Sequence, residues 1–185
     1  MISVHDRGPA GALGELSRFR QEFYQCLTRR ADALFEEMTV VPEARIASEF
    51  GLREAGVTSM HDATEGGVIG GLTEVVAASG VGLRVELDAI PVPPEVRAVC
   101  DAVGIDPLIS ISEGTLIATV VPQRSEELVS VLAENGISAA VVGEITPPGA
   151  GSVAVTGGRE RALVHPGLDP FWEAFGRWSA EAVAS

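Results

Sequence analysis

Hydrophobic and polar positions along this chain alternate between helical and strand-like periods. From Leu13 to Met38 the apolar residues Leu16, Phe19, Phe23, Leu27 and Leu34 recur at roughly helical spacing among arginines and glutamates, which predicts a long amphipathic helix. Pro42 suits the first turn of a second, short helix through Ser48. Residues 57–61 read as a strand, and residues 66–79 as a helix closed by Gly80, with an amphipathic run from Leu72 to Ala78. Val81 to Leu87 alternates apolar and polar, the mark of a half-buried strand. A helix from Pro94 to Val103, a strand from Thr115 to Val121, a helix from Ser125 to Glu134 and a strand from Ile137 to Ile145 follow. Two short closing strands, Ser152–Val155 and Arg161–Val164, flank Gly157-Gly158, and a terminal helix spans Asp169–Val183.

Strands and helices alternating in this way predict an α/β (α+β) fold, a mixed sheet with helices packed on it. Three parts are expected: a tail with an amphipathic helix over residues 1–39, a domain over 40–168, and an aromatic helix over 169–185. The last carries Phe171, Trp172, Phe175 and Trp178 on its apolar side, and its two tryptophans are expected in the core. With 185 residues, 46% of them hydrophobic and 21% charged, the chain is large and apolar enough to build one real core.

The most concentrated chemistry lies in Met60-His61-Asp62-Ala63-Thr64-Glu65-Gly66-Gly67. Two carboxylates, a hydroxyl and a glycine pair stand between a strand and a helix N-terminus, a place where free N–H groups and the helix dipole favour anions. One reading makes Thr64 or Asp62 a plain N-cap. The other turns Asp62 or Glu65 toward a cleft, with Gly66 and Gly67 letting a ligand approach the backbone. His61 reads first as a structural histidine. A second acidic turn, Glu113-Gly114, precedes the strand at Thr115. It is either a solvated tight turn or part of the same cleft.

The net charge of −13 argues against nucleic acid and acidic membranes as partners. It leaves room for a phosphorylated small molecule held by backbone N–H groups. All 13 basic residues are arginine, which excludes a lysine nucleophile or a P-loop lysine. Cys26 and Cys100 stand 74 positions apart outside any Cys/His cluster, so no metal site is expected and both thiols read as reduced. The absence of a Gly-x-Ser-x-Gly elbow removes a serine hydrolase. With no apolar run long enough for a membrane span and no signal-like N-terminus, the expected location is cytoplasmic.

Six ordered blocks carry a resemblance: Met60–Gly67, Leu72-Thr73-Glu74 with Ser79–Gly82, Ile90-Pro91-Val92, Gly104–Leu108, Ser112–Leu116 and Gly143–Thr146. Over roughly residues 40–165 the chain resembles the C-terminal domain of the aminoimidazole ribonucleotide (AIR) synthetase superfamily. It is most similar to the branch that includes the hydrogenase-maturation protein HypE and AIR synthase-related proteins. The resemblance implies a three-layer α/β/α, PurM C-terminal-like domain. It also implies that Asp62, Thr64, Glu65, Gly66, Gly67, Glu113 and Gly114 line a ligand cleft. In the family this domain closes over an ATP–Mg²⁺ site held by an N-terminal domain. Here residues 1–39 hold a helix instead, so no cofactor is expected for the chain alone. ATP and Mg²⁺ would enter only with a complementing N-terminal domain. The ending Glu181–Ser185 lacks the modified C-terminal cysteine of HypE, so HypE chemistry is not expected. The expected partners are a second copy of the chain or a separate ATP-binding domain.

Overall fold

A computed structural model describes residues 38–184, without the side chains of 178–184, together with Gln25, Arg29, Arg30, Asp32 and Leu34. Those five are helical and Met38 is not, so the expected helix from Leu13 ends before Met38; its remaining residues, Cys26 among them, and the side chain of Trp178 lie outside the described residues. Met1–Glu37 and Met38–Ser185 are separate compact units.

Within the second unit the order is α1 (Val41–Phe50), β1 (Val57–Ala63), α2 (Gly67–Ser79), β2 (Gly82–Glu86), α3 (Pro94–Val103), β3 (Thr115–Val120), α4 (Ser125–Glu134), β4 (Gly143–Thr146), β5 (Ser152–Thr156), β6 (Arg159–Ala162) and α5 (Pro170–Ala184). β1 and β3 form an antiparallel ribbon. The other four strands make a mixed sheet in the order β4-β2-β5-β6, in which only β2 and β5 run parallel. The α/β class with a mixed sheet is what the periodicities predict.

Both faces of the ribbon are covered. Val57, Ala118 and Val120 pack with Ala47 of α1 and with Leu128 and Leu132 of α4. On the opposite face His61, Ala63 and Ile117 meet α2 at Gly71, where an added Cβ would lie 2.8 Å from Ile117 Cδ1 and 3.3 Å from Ala63 Cβ. The far side of α2 carries Val68, Ile69, Leu72 and Val76 onto Leu83, Val85 and Ala154 of the four-stranded sheet. The resulting stack is helices, ribbon, helix and sheet.

The amphipathic reading of Leu72–Ala78 holds, with Leu72, Val75 and Val76 buried and Glu74, Ala77 and Ala78 exposed, but the first turns of α2 are buried all round. Residues 67–72, 75 and 76 are all buried, because the helix is covered from two directions. Each leucine or isoleucine in that layer represents about 2–5 kcal/mol against truncation to alanine. The expected strand over residues 137–145 also shrinks. Ile137 and Ala139 pack against the α1/α4 core, and regular pairing with β2 begins only at Gly143.

Arg124, just before α4, fastens the ribbon's outer helices together. Its Nη1 donates to the carbonyls of Phe50 (3.3 Å) and Ala55, while Nε and Nη2 hold Glu127 at 2.8 and 2.7 Å. The guanidinium also stacks 3.8 Å from the centre of the Phe50 ring. Only the planar arginine fork serves carbonyls, carboxylate and ring together.

Helix α5 departs from its expected packing. Among its described side chains the buried one is Ala174, whereas Trp172 and Phe175 are about half exposed. The aromatic rings cluster on one another instead of entering the core. Phe171 meets Trp172 edge-on at 5.3 Å and stacks with Phe175 at 5.8 Å.

Candidate functional site

Strand β1 runs two residues past its expected end, so Asp62 is a strand residue and not part of the turn. It pairs with Leu116, two positions along from the Met60–Ala118 pair. By strand alternation it stands on the α1/α4 side of the ribbon, opposite to His61. His61 faces α2, where its Nε2 lies 2.8 Å from Glu74 Oε2; the other oxygen of Glu74 lies 3.9 Å from Nε2 of His165.

The chain then turns at Thr64 and Glu65 into α2. Neither Asp62 nor Thr64 caps this helix. The N-cap is Gly66, in the left-handed region at φ 79°, followed by Gly67 at φ 63°. Two successive left-handed residues are readily accommodated only by glycine. Thr64 instead contributes its carbonyl, which accepts the N–H of Gly67 at 3.0 Å and that of Ser112 at 3.2 Å. The second of these bonds draws the Glu113-Gly114 turn to the same end of the ribbon. Asp62, Thr64, Glu65 and Glu113 are all exposed there, and Gly114 is half-buried.

The glycine pair admits this chain's own atoms. A Cβ on Gly67 would sit 2.7 Å from the carbonyl oxygens of both Leu108 and Ser110. On Gly66 it would meet Pro166 at 3.2 Å. The N–H of Ile69 donates to Leu108 at 3.0 Å, and the N–H of Gly66 donates to the carboxylate of Asp169 at 2.8 Å. The negative charge at the start of α2 is thus supplied by a side chain that is only 3% exposed. The seven predicted residues therefore divide: Asp62, Thr64, Glu65, Glu113 and Gly114 border an open edge, while Gly67 lies beneath backbone carbonyls and Gly66 beneath the Pro166 and His165 side chains.

Asp169 escaped the sequence reading. Asp-Pro before an apolar run signals a helix start, and Asp169 Oδ1 does accept the N–H of Phe171 at 2.9 Å as the cap of α5. Nothing local reveals the second bond, to a residue 103 positions earlier. The loop carbonyls of residues 108–110 likewise carry no side-chain signature.

Cys100 on α3 is a free thiol. Burial, helped by the nearby Asp101 and Asp106, pushes its pKa above the usual thiol range, against the opposing pull of Arg97. That makes it a poor nucleophile at neutral pH. Among the described residues no three His, Cys, Asp or Glu side chains converge on a position for a metal ion.

The sequence profile of the AIR synthase related protein, C-terminal domain, matches residues 5–156. The chain belongs to that family. The match begins within the segment set apart above as residues 1–39. Carbamoyl dehydratase HypE of Escherichia coli K12 is 35% identical over 117 residues, which cover 62% of this chain and 35% of the relative. Carbamoyl dehydratase HypE of Rhizobium leguminosarum bv. viciae is 37% identical over 93 residues, 49% of this chain and 27% of that one. The crystal structure of E. coli HypE superposes with a TM-score of 0.61 at 31% identity, over 71% of this chain and 40% of that one. A HypE structure in complex with ATP gives 0.59 at 29% identity, over 68% and 41%. The chain thus spans between about a quarter and about a third of the length of these two curated relatives. The fold is the PurM-like C-terminal fold of HypE.

Proposed function

We propose that this chain is the substrate-side domain of an AIR synthase-related, ATP-dependent enzyme, and that it is inactive until an ATP-binding domain completes its site. The carrying observation is the superposition on 40% of E. coli HypE, by a chain whose family match is to the C-terminal domain. In this reading the open edge formed by Asp62, Thr64, Glu65, Glu113 and Gly114 is one wall of the cleft. Its carboxylates and hydroxyl would orient the hydroxyl or amide groups of a phosphorylated small molecule. Gly66 and Gly67 shape that wall from beneath.

Among the described residues no three acids converge as a magnesium site. The reading therefore gives nucleotide and metal to a complementing ATP-binding domain. A cytoplasmic location belongs to the same reading. The decisive measurement is Mg-ATP turnover by the 185-residue chain alone. No turnover is expected, and hydrolysis that Asp62→Ala abolishes would overturn the proposal.

One observation favours a second reading, a module that docks a partner or a second copy through its terminal helices. Val164, Leu168, Trp172 and Phe175 form an exposed apolar run around the start of α5, with Leu168 82% exposed. Sedimentation of the chain would show self-association that Trp172→Ser weakens. A strictly monomeric profile removes the self-docking form of this reading.

A further inference from the structure

Away from the ribbon edge, a cavity of about 340 Å³ opens beside the four-stranded sheet. Four charged side chains line it: Asp88 in the turn after β2, Arg97 on α3, Asp106 in the loop after α3, and Arg161 on β6. All four are exposed at its open mouth, where opposite charges within reach of one another still attract. Yet among the described residues none of the four forms an ion pair, whereas Arg84, Arg124 and Arg177 all hold glutamates.

The backbone keeps the acids in place. Asp88 Oδ2 accepts the N–H of Gly157 at 2.7 Å, and Asp106 Oδ1 accepts the N–H of Leu108 at 2.9 Å. Each aspartate retains a second oxygen. The arginines come from two further elements, α3 and β6, and Thr156 adds a hydroxyl. Leu87, Ile90 and Leu108 supply an apolar wall.

We infer that this cavity is a binding site for a small zwitterion of the free aliphatic α-amino acid class. Two arginines match a carboxylate, two aspartates match an ammonium group, and the apolar wall matches a branched side chain. A phosphate dianion fits less well, because it would satisfy the arginines while facing two carboxylates. The volume is in the range of small-ligand sites. The inference is independent of the ATP-dependent reading above, since it uses none of the ribbon-edge residues.

The test is calorimetric titration of the 185-residue chain with L-leucine, 4-methylpentanoate, 3-methylbutylamine and inorganic phosphate. L-leucine is expected to saturate the chain, and each single-charge analogue to bind about tenfold or more weakly, the loss of one charge-assisted contact. Arg161→Met and Asp88→Asn should weaken L-leucine by a similar factor; the asparagine keeps an acceptor for Gly157, so the turn survives. Arg97→Met, on an exposed helix face, serves as the second arginine variant, with circular dichroism confirming each fold. No saturation by L-leucine or any other proteinogenic amino acid overturns the inference. So do affinities unchanged in the variants, and so does phosphate or 4-methylpentanoate binding as tightly as L-leucine.

Discussion

The carboxylate of Asp169 accepts the backbone N–H of Gly66 at 2.8 Å, joining the cap of the last helix to the start of α2. One side chain therefore serves two helix N-termini, since its other oxygen accepts Phe171 N–H. Asp169→Ala should cost about 3 kcal/mol, set by two hydrogen bonds to a charged, buried acceptor. Asp169→Asn keeps one acceptor oxygen and should cost about half of that. Urea unfolding curves check both, and an unchanged midpoint for the alanine variant would show that the bond contributes nothing.

Two glycines of α2 should respond differently to alanine. At Gly71 the new methyl presses on the far end of the flexible Ile117 side chain, which can rotate away, so the cost should be about 1–3 kcal/mol. At Gly67 it meets two rigid carbonyl oxygens at 2.7 Å, from a left-handed backbone. Gly67→Ala should therefore be the more damaging, to the point of poor soluble expression. Thermal melts that rank the two in reverse would contradict this packing.

The Arg124 clamp predicts a dependence on acid. The guanidinium's hydrogen bonds and charge hold the Glu127 carboxyl below its ordinary pKa. Its contribution is thus complete above the ordinary glutamate range and fades as pH falls through the depressed value. The pair is exposed to solvent, so the effect should be small and weakened by salt. Glu127→Gln should flatten the decline in urea midpoint between neutral pH and about pH 3. Arg124→Lys should lower the midpoint further than Glu127→Gln does, because it also loses the Phe50 ring and the two carbonyls. Equal shifts would reduce the clamp to a simple ion pair.

Cys100 gives the alkaline counterpart. Burial keeps its thiol protonated to higher pH in the folded chain than in the unfolded one. Between those two values the folded state binds more protons, so stability falls as pH rises through them. Alkylation of Cys100 should be slower in the native chain than in urea at mildly alkaline pH, and Cys100→Ala should remove this part of the alkaline loss. Alkylation at the same rate in both states would place the thiol in open solvent.

The elements were readable where one local rule governed them. Pro94 and Gly104 bound α3, and Ser125–Glu134 forms α4 as its period predicts. Sequence reasoning faltered where a second layer intervened. The second half of α2 is amphipathic as it reads, with Glu74, Ala77 and Ala78 exposed, but its first turns, residues 67–72, are buried all round because sheets lie against two sides. Trp172 reads as core because tryptophan is apolar, but buried Ala174 sets the inner face of α5. In the candidate site the sequence showed the acids and glycines. It hid the atoms that cover the glycines, since backbone carbonyls and one distant aspartate leave no pattern around Gly66. The four charges of the amino-acid cavity come from separate elements and were equally invisible.

Because α2 packs against the ribbon on one side and the four-stranded sheet on the other, it is the helix through which the two sheets share a core. Met38–Ser185 should accordingly gain or lose its structure in a single cooperative step. A protease cut at the exposed turn of residues 147–151 would leave two fragments that stay associated, because β5 pairs with β2 and packs Ala154 against α2, both of which stay in the other fragment.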